Sequence, residues 1–316
     1  SFPTRRSSDL VTQSQKVAAA GLELLGSGTF TLTNTGSANA ISTLAINAGV
    51  VSYTQSGAYT VGVVGSTTGI NTTGNLALVS TSGITLSRDV TSGAGTQTFT
   101  GPITLSTQAI TLTSTDTTIN FNGSTTTING ARDLIINSGS GLITFGGIVG
   151  GSTALSSLTL QGSGANTLPS AMTTTGAIDL KGTSRTSSLV VGTALSSTGG
   201  GDIVIGSVNG AYSFQVGNSN GTIDIGIVGG STALSSLTFT GTGLNKLRGN
   251  ITTTGTVDLK GTSRSTQLFS DVTMTTTNTN VTTGIIDGDV ATAAGTYALN
   301  VNNGSGTVRL GDVGVT

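Results

Sequence analysis

The chain has 316 residues, of which 8% are charged and 4% aromatic, and its formal net charge is −1. Globular domains average about 25% charged residues, and the mean hydropathy of +0.22 argues against disorder. Cysteine and histidine are absent, which excludes disulfides, zinc sites of the usual kind and triads that use histidine. Scattered Lys and Arg give no basic stripe for nucleic acid, and no apolar run is long enough for a membrane span.

Residues 1–10 differ from the rest of the chain. Ser-Phe-Pro-Thr-Arg-Arg-Ser-Ser-Asp-Leu holds two of the 12 basic residues and one of the three prolines. It resembles the translation of a common sequencing adapter, with a natural basic leader as the alternative. We therefore predict that residues 1–10 are not part of the fold and that residues 11–316 form one domain.

The segment Val17–Leu25 contains helix formers, but Gly21 lies at its centre and the run is short. A helix is the alternative here, and we favour another β-strand coil. The chain as a whole has 49 Gly, abundant Thr, Ser and Asn, and three Pro. That composition predicts many short strands joined by tight turns.

A short unit recurs along the chain, an apolar-x-apolar triplet followed by Gly, Ser, Thr or Asn. Alternate strand side chains point to opposite faces, so the outer two residues of each triplet form a core and the middle one a surface. The triplets begin at Phe30, Leu44, Leu76, Ile84, Ile103, Ile110, Ile119, Leu134, Ile143, Leu158, Ile178, Ile203, Ile223, Leu237, Val257 and Val308.

The spacing of these triplets predicts the fold class. From Leu158 they begin at 158, 178, 203, 223, 237 and 257, and steps near 20 are too short for a strand plus a crossover helix. They suit one turn of a solenoid. We predict an all-β parallel β-helix with coils of about 20 residues, in which both outer residues of the triplets from Ile143 to Val257 point inward. The expected outward residues are Thr144, Thr159, Asp179, Asp224, Thr238 and Asp258.

Longer repeats lie on top of this pattern. Residues 147–160 return at 226–239 with thirteen of fourteen positions identical, and residues 173–185 return at 252–264 with the same offset of 79. The long repeats cover about 147–225 and 226–310, and Gly306–Gly314 resembles the start of a third copy. We expect that neither end of this chain is capped and that its ends associate with other copies.

The repeated Asp-Leu-Lys-Gly-Thr-Ser-Arg element, at Asp179–Arg185 and Asp258–Arg264, is the densest charge cluster. One hypothesis makes Asp179, Lys181 and Arg185 a saccharide-binding or lyase-like group. The other makes the element a solvated turn with local ion pairs. Duplication favours the second, because an enzyme needs one site whereas a scaffold copies its surface. The single glutamate, Glu23, has no Asp nearby in sequence to form a catalytic carboxylate pair.

Two further patterns have structural explanations that we prefer. Thr-x-Thr pairs at Thr96–Thr100 and Thr273–Thr279 are also typical of ice-binding solenoids, but they do not recur at a fixed step. Asp287-Gly-Asp289 and Gly199-Gly-Gly-Asp202 resemble calcium turns but lack the tandem nonapeptide of calcium-bound β-rolls. We predict no catalytic, cofactor-binding or metal-binding residues.

Residues 20–34 (Ala-Gly-Leu-Glu-Leu-Leu-Gly-Ser-Gly-Thr-Phe-Thr-Leu-Thr-Asn), residues 57–78 and the two Gly-Ile-Val-Gly-Gly-Ser-Thr-Ala-Leu units carry a family resemblance. Over residues 11–316 the chain resembles bacterial β-strand-repeat proteins of the filamentous haemagglutinin-like type. The resemblance implies a right-handed parallel β-helix, export from a Gram-negative cell through an outer-membrane secretion partner, and a role in adhesion, aggregation or biofilm. The family's secretion-recognition domain and a signal peptide are not found in this sequence.

Together these observations predict a non-catalytic adhesin shaft at the cell surface or outside the cell. Its partners would be receptors or glycans on host or neighbouring cells, with no nucleic acid and no cofactor. The alternatives are a β-helical polysaccharide-degrading enzyme and a purely structural surface-layer protein. A single groove with clustered Asp, Lys and Arg would favour the enzyme, and evenly spread charges the shaft.

Overall fold

The structure, a computed structural model, describes residues 10–34, 38–288 and 297–314. These residues form 37 β-strands and no helix. They stack as a parallel β-solenoid of about 12 turns, with coils of about 22 residues. The predicted fold class is confirmed, with coils slightly longer than the expected 20. Residues 1–10 were predicted not to be part of the fold. Of these, residues 1–9 lie outside the described residues, and Leu10 begins the first strand.

The chain divides into two compact units, Ser1–Leu155 with Gln161–Gly164, and Ser156–Leu160 with Ala165–Thr316. The strands of the first unit are β1 (Leu10–Thr12), β2 (Ala18–Leu32), β3 (Ala40–Gln55), β4 (Tyr59–Val61), β5 (Val63–Val64), β6 (Thr67–Thr68), β7 (Ile70–Thr72), β8 (Leu76–Ser80), β9 (Ile84–Leu86), β10 (Val90–Ser92), β11 (Gln97–Thr100), β12 (Ile103–Leu105), β13 (Ile110–Ser114), β14 (Ile119–Phe121), β15 (Ile128–Asn129), β16 (Asp133–Asn137) and β17 (Ile143–Phe145).

The strands of the second unit are shorter on average. They are β18 (Ser157–Gln161), β19 (Asn166–Leu168), β20 (Ala171–Thr174), β21 (Ile178–Asp179), β22 (Thr186–Leu189), β23 (Thr193–Ser197), β24 (Ile203–Ile205), β25 (Ser207–Asn209), β26 (Ser213–Asn218), β27 (Ile223–Ile225), β28 (Ser236–Thr240), β29 (Thr242–Leu247), β30 (Ile251–Thr252), β31 (Val257–Asp258), β32 (Ser263–Leu268), β33 (Val272–Thr275), β34 (Val281–Thr282), β35 (Ile286–Gly288), β36 (Leu299–Asn302) and β37 (Val308–Arg309).

In the first unit, most strands pair in parallel with the corresponding strand of the next coil, which forms three stacks. One stack contains β7, β10, β13 and β16, the next β8, β11, β14 and β17, and the third β4, β9, β12 and β15. The long strand β3 lies beneath all three, because Thr43, Ile46 and Val51 pair with β4, β7 and β8 respectively. Stacking identical strand positions places like side chains above one another, so apolar residues form continuous inward rows.

Aromatic residues form one of these inward rows. Phe99, Phe121 and Phe145 lie in consecutive coils with ring centroids 5.5 and 5.3 Å apart and interplanar angles of 16° and 10°. Offset-stacked rings at this separation add about 0.5–1.5 kcal/mol per pair beyond the burial of their surface. The parallel register therefore supplies a directional contribution as well as apolar burial.

The segment expected to form a coil around Gly21 does so. Strand β2 runs from Ala18 to Leu32 and pairs in parallel with β3. A helix would remove these backbone hydrogen bonds to β3, so the pairing explains why strand geometry prevails over local helix propensity.

One antiparallel hairpin interrupts the parallel pattern. Strands β5 and β6 pair antiparallel around Gly65, whose φ of 59° suits a glycine. The carboxylate of Glu23 accepts a hydrogen bond from the backbone N–H of Thr67 at 3.1 Å. The hairpin contacts β2 and β3, and Ala45, expected at the surface as a middle residue, is fully buried. We attribute its burial to cover by this hairpin.

The second unit also has three stacks. Stack A contains β18, β21, β24, β27, β29, β32 and β35. Stack B contains β19, β22 and β25 and continues through Val228 to β30, β33 and β36. Stack C contains β20, β23, β26, β28, β31, β34 and β37.

The inward predictions are confirmed for all fourteen named core residues, each at most 2% exposed. They are Ile143, Phe145, Leu158, Leu160, Ile178, Leu180, Ile203, Ile205, Ile223, Ile225, Leu237, Phe239, Val257 and Leu259. The six predicted outward residues are all half-buried on the outer side of their strands. The triplet at Val308 differs, because Val308 and Leu310 are 40% and 42% exposed. No described strand stacks on the far side of β37, so nothing in the described chain covers them.

The 79-residue repeat does not correspond to a whole number of turns. Leu158 pairs with Ile178 in stack A, whereas its equivalent Leu237 pairs with Val257 in stack C. Three turns lead from Leu158 to Ile223 within stack A, and two further strand positions then lead to Leu237. The offset is therefore three turns and two strand positions, which is one strand position short of four turns. Each copy is displaced by that one position around the solenoid, and this displacement explains the step of 14 residues between the triplets at 223 and 237.

Buried tyrosines in the first unit make stability there sensitive to high pH. Burial raises the pKa of Tyr59 well above 10, and repulsion between the phenolates of Tyr59 and Tyr53 raises it further. The Tyr59 hydroxyl has no hydrogen-bond partner among the described residues. Because the folded state keeps this phenol protonated while the unfolded chain ionises near pH 10, its contribution to stability is intact below pH 10 and is lost as pH rises above it.

We therefore expect Tyr59→Phe to raise the free energy of unfolding by about 1 kcal/mol at pH 7, since it removes an unpaired buried hydroxyl. The advantage should grow above pH 10. Urea unfolding followed by circular dichroism at pH 7 and pH 10.5 measures both effects. Tyr212→Phe, at a side chain 43% exposed, is the control and should change little. Destabilisation by Tyr59→Phe at both pH values would contradict this account.

Candidate interaction surface

Three rows of outward side chains in the first unit contain no charged residue. Rung by rung, the rows contain hydroxyl, amide or alanine side chains in register between consecutive coils. They are Asn47, Asn71, Thr91, Thr113 and Asn137; Ser52, Ala77, Thr98, Asn120 and Thr144; and Thr43, Thr60, Thr85, Thr104 and Asn129. These three rows are polar but contain no acid or base.

The Thr-x-Thr pairs do not build a double rank of threonines. On β11 both Thr98 and Thr100 face outward, but their neighbours on β8 are Ala77 and Val79. On the other side Thr98 is followed by Asn120. Flat paired rows, which an ice-binding surface would need, are not formed at this position.

Charged side chains do appear on strand faces of the second unit. The outward row of stack A consists of Thr159, Asp179, Val204, Asp224, Lys246, Gln267 and Asp287. These charges neither cluster in one groove nor spread evenly, because they are more frequent on the strand faces of the second unit than on those of the first. The distribution of charges therefore does not by itself distinguish a polysaccharide-degrading enzyme from an adhesin shaft.

The repeated Asp-Leu-Lys-Gly-Thr-Ser-Arg element is divided between surface and core. Asp179 accepts a hydrogen bond from the backbone N–H of Lys181 at 2.9 Å, and Asp258 from that of Lys260 at 3.0 Å. These contacts are the local turns that Asp favours. Both lysines are exposed, so the outward part of the element presents a carboxylate and an ammonium group two residues apart.

The arginines of the same element are buried, which corrects the expectation of a solvated turn with local ion pairs. Arg185 and Arg264 are 0% and 1% exposed. Burial lowers the pKa of both, that of Arg264 to about 10. A guanidinium with no exposed surface cannot reach a substrate at the surface. Asp179, Lys181 and Arg185 therefore do not assemble into the lyase-like group.

Arg264 instead holds three consecutive coils together at one corner. Its Nε donates to the side-chain oxygen of Asn245 at 2.5 Å. Its terminal nitrogens donate to backbone carbonyls that belong to the two preceding coils, those of Asn218, Gly221, Thr240, Thr242 and Leu244. Turns leave carbonyl groups without sheet partners, and five donors on one planar group can satisfy several of them.

A cluster of charged and aromatic residues depends on three side chains that only the second copy has. Arg248 binds Asp224 through two hydrogen bonds of 2.6 and 2.8 Å and lies 4.4 Å from the ring centroid of Phe269, with Lys246 at 5.4 Å. The positions equivalent to Lys246, Arg248 and Phe269 in the first copy are Thr167, Pro169 and Val190.

Sequence reasoning missed this cluster because its members come from three coils. Asp224, Lys246 and Phe269 are more than 20 residues apart in sequence and meet only through the register of stack A. The available signal was the difference between the copies at positions where the rest of the repeat is nearly identical. Arg248 is 39% exposed, so the ion pair itself adds little stability.

Several Asp and Asn side chains in turns and at strand ends join one coil to the next. Asp202, in the predicted calcium-like turn, accepts the backbone N–H of Thr222 at 2.8 Å. Further side chains do the same 22 to 27 residues ahead, namely Asp89, Asn129, Asn209, Asn250 and Asp271. Asp202 thus has the structural role expected of it. Asp287 belongs to the outward row, and Asp289 lies outside the described residues.

Within residues 10–34, 38–288 and 297–314, no three His, Cys, Asp or Glu side chains gather as a metal site would need. The same part of the chain contains no helix that could cross a membrane. An open depression of about 700 Å³ lies beside Lys260, Asn280, Arg309 and Asp312. Among the described residues that line it, Asp312 is the one carboxylate, so these residues do not supply the carboxylate pair that glycoside hydrolysis requires.

Comparison of the chain with protein-family models, curated proteins and solved structures gave no match. The assignment that the geometry carries is therefore the fold itself. The chain is a parallel β-solenoid repeat protein.

Proposed function

We propose that the chain is a non-catalytic shaft segment of a secreted or surface-exposed bacterial adhesin of the filamentous haemagglutinin type. The proposed location is the cell surface or exterior of a Gram-negative bacterium. Its partners would be receptors or glycans on host or neighbouring cells, with an outer-membrane protein for secretion. The resemblance of residues 11–316 to that family suggests this location and these partners.

The use of carboxylates in the second unit is the observation that carries the proposal. Asp179, Asp202, Asp258 and Asp271 all accept backbone N–H groups, and the arginines of the repeated element are buried. Groups that stabilise turns are not poised for proton transfer. This arrangement supports a scaffold whose exposed polar surface makes contacts.

An adhesion assay tests the proposal. Beads coated with the chain should be retained on epithelial cells or on a lawn of Gram-negative bacteria more strongly than beads coated with albumin. Retention equal to that of albumin beads on both would count against an adhesin.

The alternative of a polysaccharide-degrading enzyme needs its own measurement. Pectin and glycosaminoglycans incubated with the chain, with and without calcium, should show no cleavage above background. Cleavage that disappears in Asp179→Ala would overturn the non-catalytic proposal. The structural-layer alternative predicts neither retention nor cleavage.

A further inference from the structure

The displacement between repeat copies determines where identical surface groups lie. In the first copy the outward residues Thr159 and Asp179 belong to stack A. Their equivalents Thr238 and Asp258 belong to stack C. The remaining paired elements shift in the same way, since Asn166 lies in stack B and its equivalent Asn245 in stack A.

The segment Gly306–Gly314, which resembles Gly221–Gly229 across the boundary between copies, shows the same shift. Ile223 lies in stack A, and its equivalent Val308 in stack C. Val228 lies in stack B, and its equivalent Val313 pairs with Ile286 of stack A. Because the step repeats, three successive copies would place any one outward group on each of the three stacks in turn.

The two buried arginines lie at different corners of the solenoid, as the displacement between the copies requires. Arg185 follows β21 at the corner between stacks A and B, and Arg264 follows β31 at the corner between stacks C and A. Each leaves an exposed lysine and a half-buried Asp on the outside. The carboxylate and ammonium pair of the element therefore points in a different direction in each of the two copies. The buried arginine beside it contacts the backbone from the inside of the coil.

We infer that the 79-residue repeat places the same surface element, the Asp and Lys pair, on different faces of the solenoid. A partner that binds this element can therefore contact the protein on more than one face. The partner that fits is a hydrated polymer network bearing charged groups, because such a network can surround the protein. A single flat surface would reach the element in only one copy of every three. This inference rests on the proposed adhesive function for its partner, but its geometry stands apart from that function.

Distances between spin labels test the geometry, and the absence of native cysteine makes labelling specific. The test pair is Thr159→Cys with Thr238→Cys, which are equivalent positions of the two copies. The control pair is Thr159→Cys with Lys246→Cys, four rungs apart on stack A. With about 4.8 Å between strands, both pairs are separated by about 18–19 Å along the stack.

Double electron–electron resonance should give a distance for the test pair that is longer than that for the control pair by several ångströms. The test pair spans the cross-section between two sheets that pack about 10 Å apart, and its labels point away from each other on different faces, whereas the labels of the control pair point in the same direction. Equal distances would place equivalent residues on one face and would overturn the inference. Circular dichroism of each labelled variant checks that the strands are retained.

The kind of partner is tested with the bead assay. Asp179→Asn with Lys181→Gln alters the element in the first copy, and Asp258→Asn with Lys260→Gln alters it in the second. A surrounding partner predicts similar partial losses of retention, roughly twofold or less each. Loss confined to one variant, or none in either, would overturn the surrounding partner. If unmodified beads are not retained, the adhesin proposal fails, while the label distances still decide the geometry.

Discussion

Replacing Arg264 with methionine is expected to lower the free energy of unfolding of the second unit by about 3 kcal/mol or more. The change removes the donors that serve Asn245 and carbonyls of two neighbouring coils. Each buried carbonyl left unpaired costs about 1–3 kcal/mol. Relief from burying a charge offsets part of this loss, as the lowered pKa indicates, but several carbonyls depend on one guanidinium, so the loss prevails.

Urea unfolding monitored by circular dichroism measures the effect. Arg309→Met is the matched control, because Arg309 is exposed, and its change should stay within about 0.5 kcal/mol. Arg264→Lys keeps the charge but has fewer donors and no planar fork, so it should fall between the two. An Arg264→Met variant as stable as the parent would show that the corner carbonyls find other partners.

Replacing Ile203 with aspartate is expected to cost about 4 kcal/mol or more. Ile203 is fully buried between Ile178 and Ile223 of stack A. The substitution loses about 1.5–3 kcal/mol of apolar burial and places a carboxylate among side chains that cannot solvate it. The core of each coil is bounded on two sides by further coils, so the strain spreads to neighbouring turns.

The adjacent residue provides the control. Val204 faces outward and lies between Asp179 and Asp224, so Val204→Lys should change stability by less than about 1 kcal/mol, in the stabilising direction. Both variants are measured by urea unfolding under identical conditions. Similar stabilities for Ile203→Asp and Val204→Lys would mean that the inward and outward faces of β24 are assigned wrongly.

The period of the triplets was enough to predict the fold class and the inward residues. Alternation of side chains along a strand is a local rule, so Leu158, Ile178 and their counterparts could be placed in the core without knowing their neighbours. Ala45 shows where a local rule ends. It occupies a middle position of a triplet, and the cover we assign to it, the hairpin β5–β6, follows nearly twenty residues later.

The repeated Asp-Leu-Lys-Gly-Thr-Ser-Arg element also combines positions that the sequence predicted with positions that it did not. Its composition predicted a turn at the surface, and the Asp and Lys positions follow that prediction. The burial of Arg185 and Arg264 was not predictable from composition, because charged residues are almost never fully buried unless partners are present. Those partners are backbone carbonyls of other coils, and nothing in the motif itself identifies them.

By itself the sequence determined an all-β chain, built by repetition, whose apolar residues alternate with polar ones and stack in coils of about 20 residues. Only the tertiary structure decided which triplets share a stack. A repeat length of 79 residues can be reached by whole or fractional numbers of turns, because turns of different length separate the strands. Pairing between coils resolves this, through Leu158 with Ile178 in one stack and Leu237 with Val257 in another, since backbone hydrogen bonds join strands far apart in sequence.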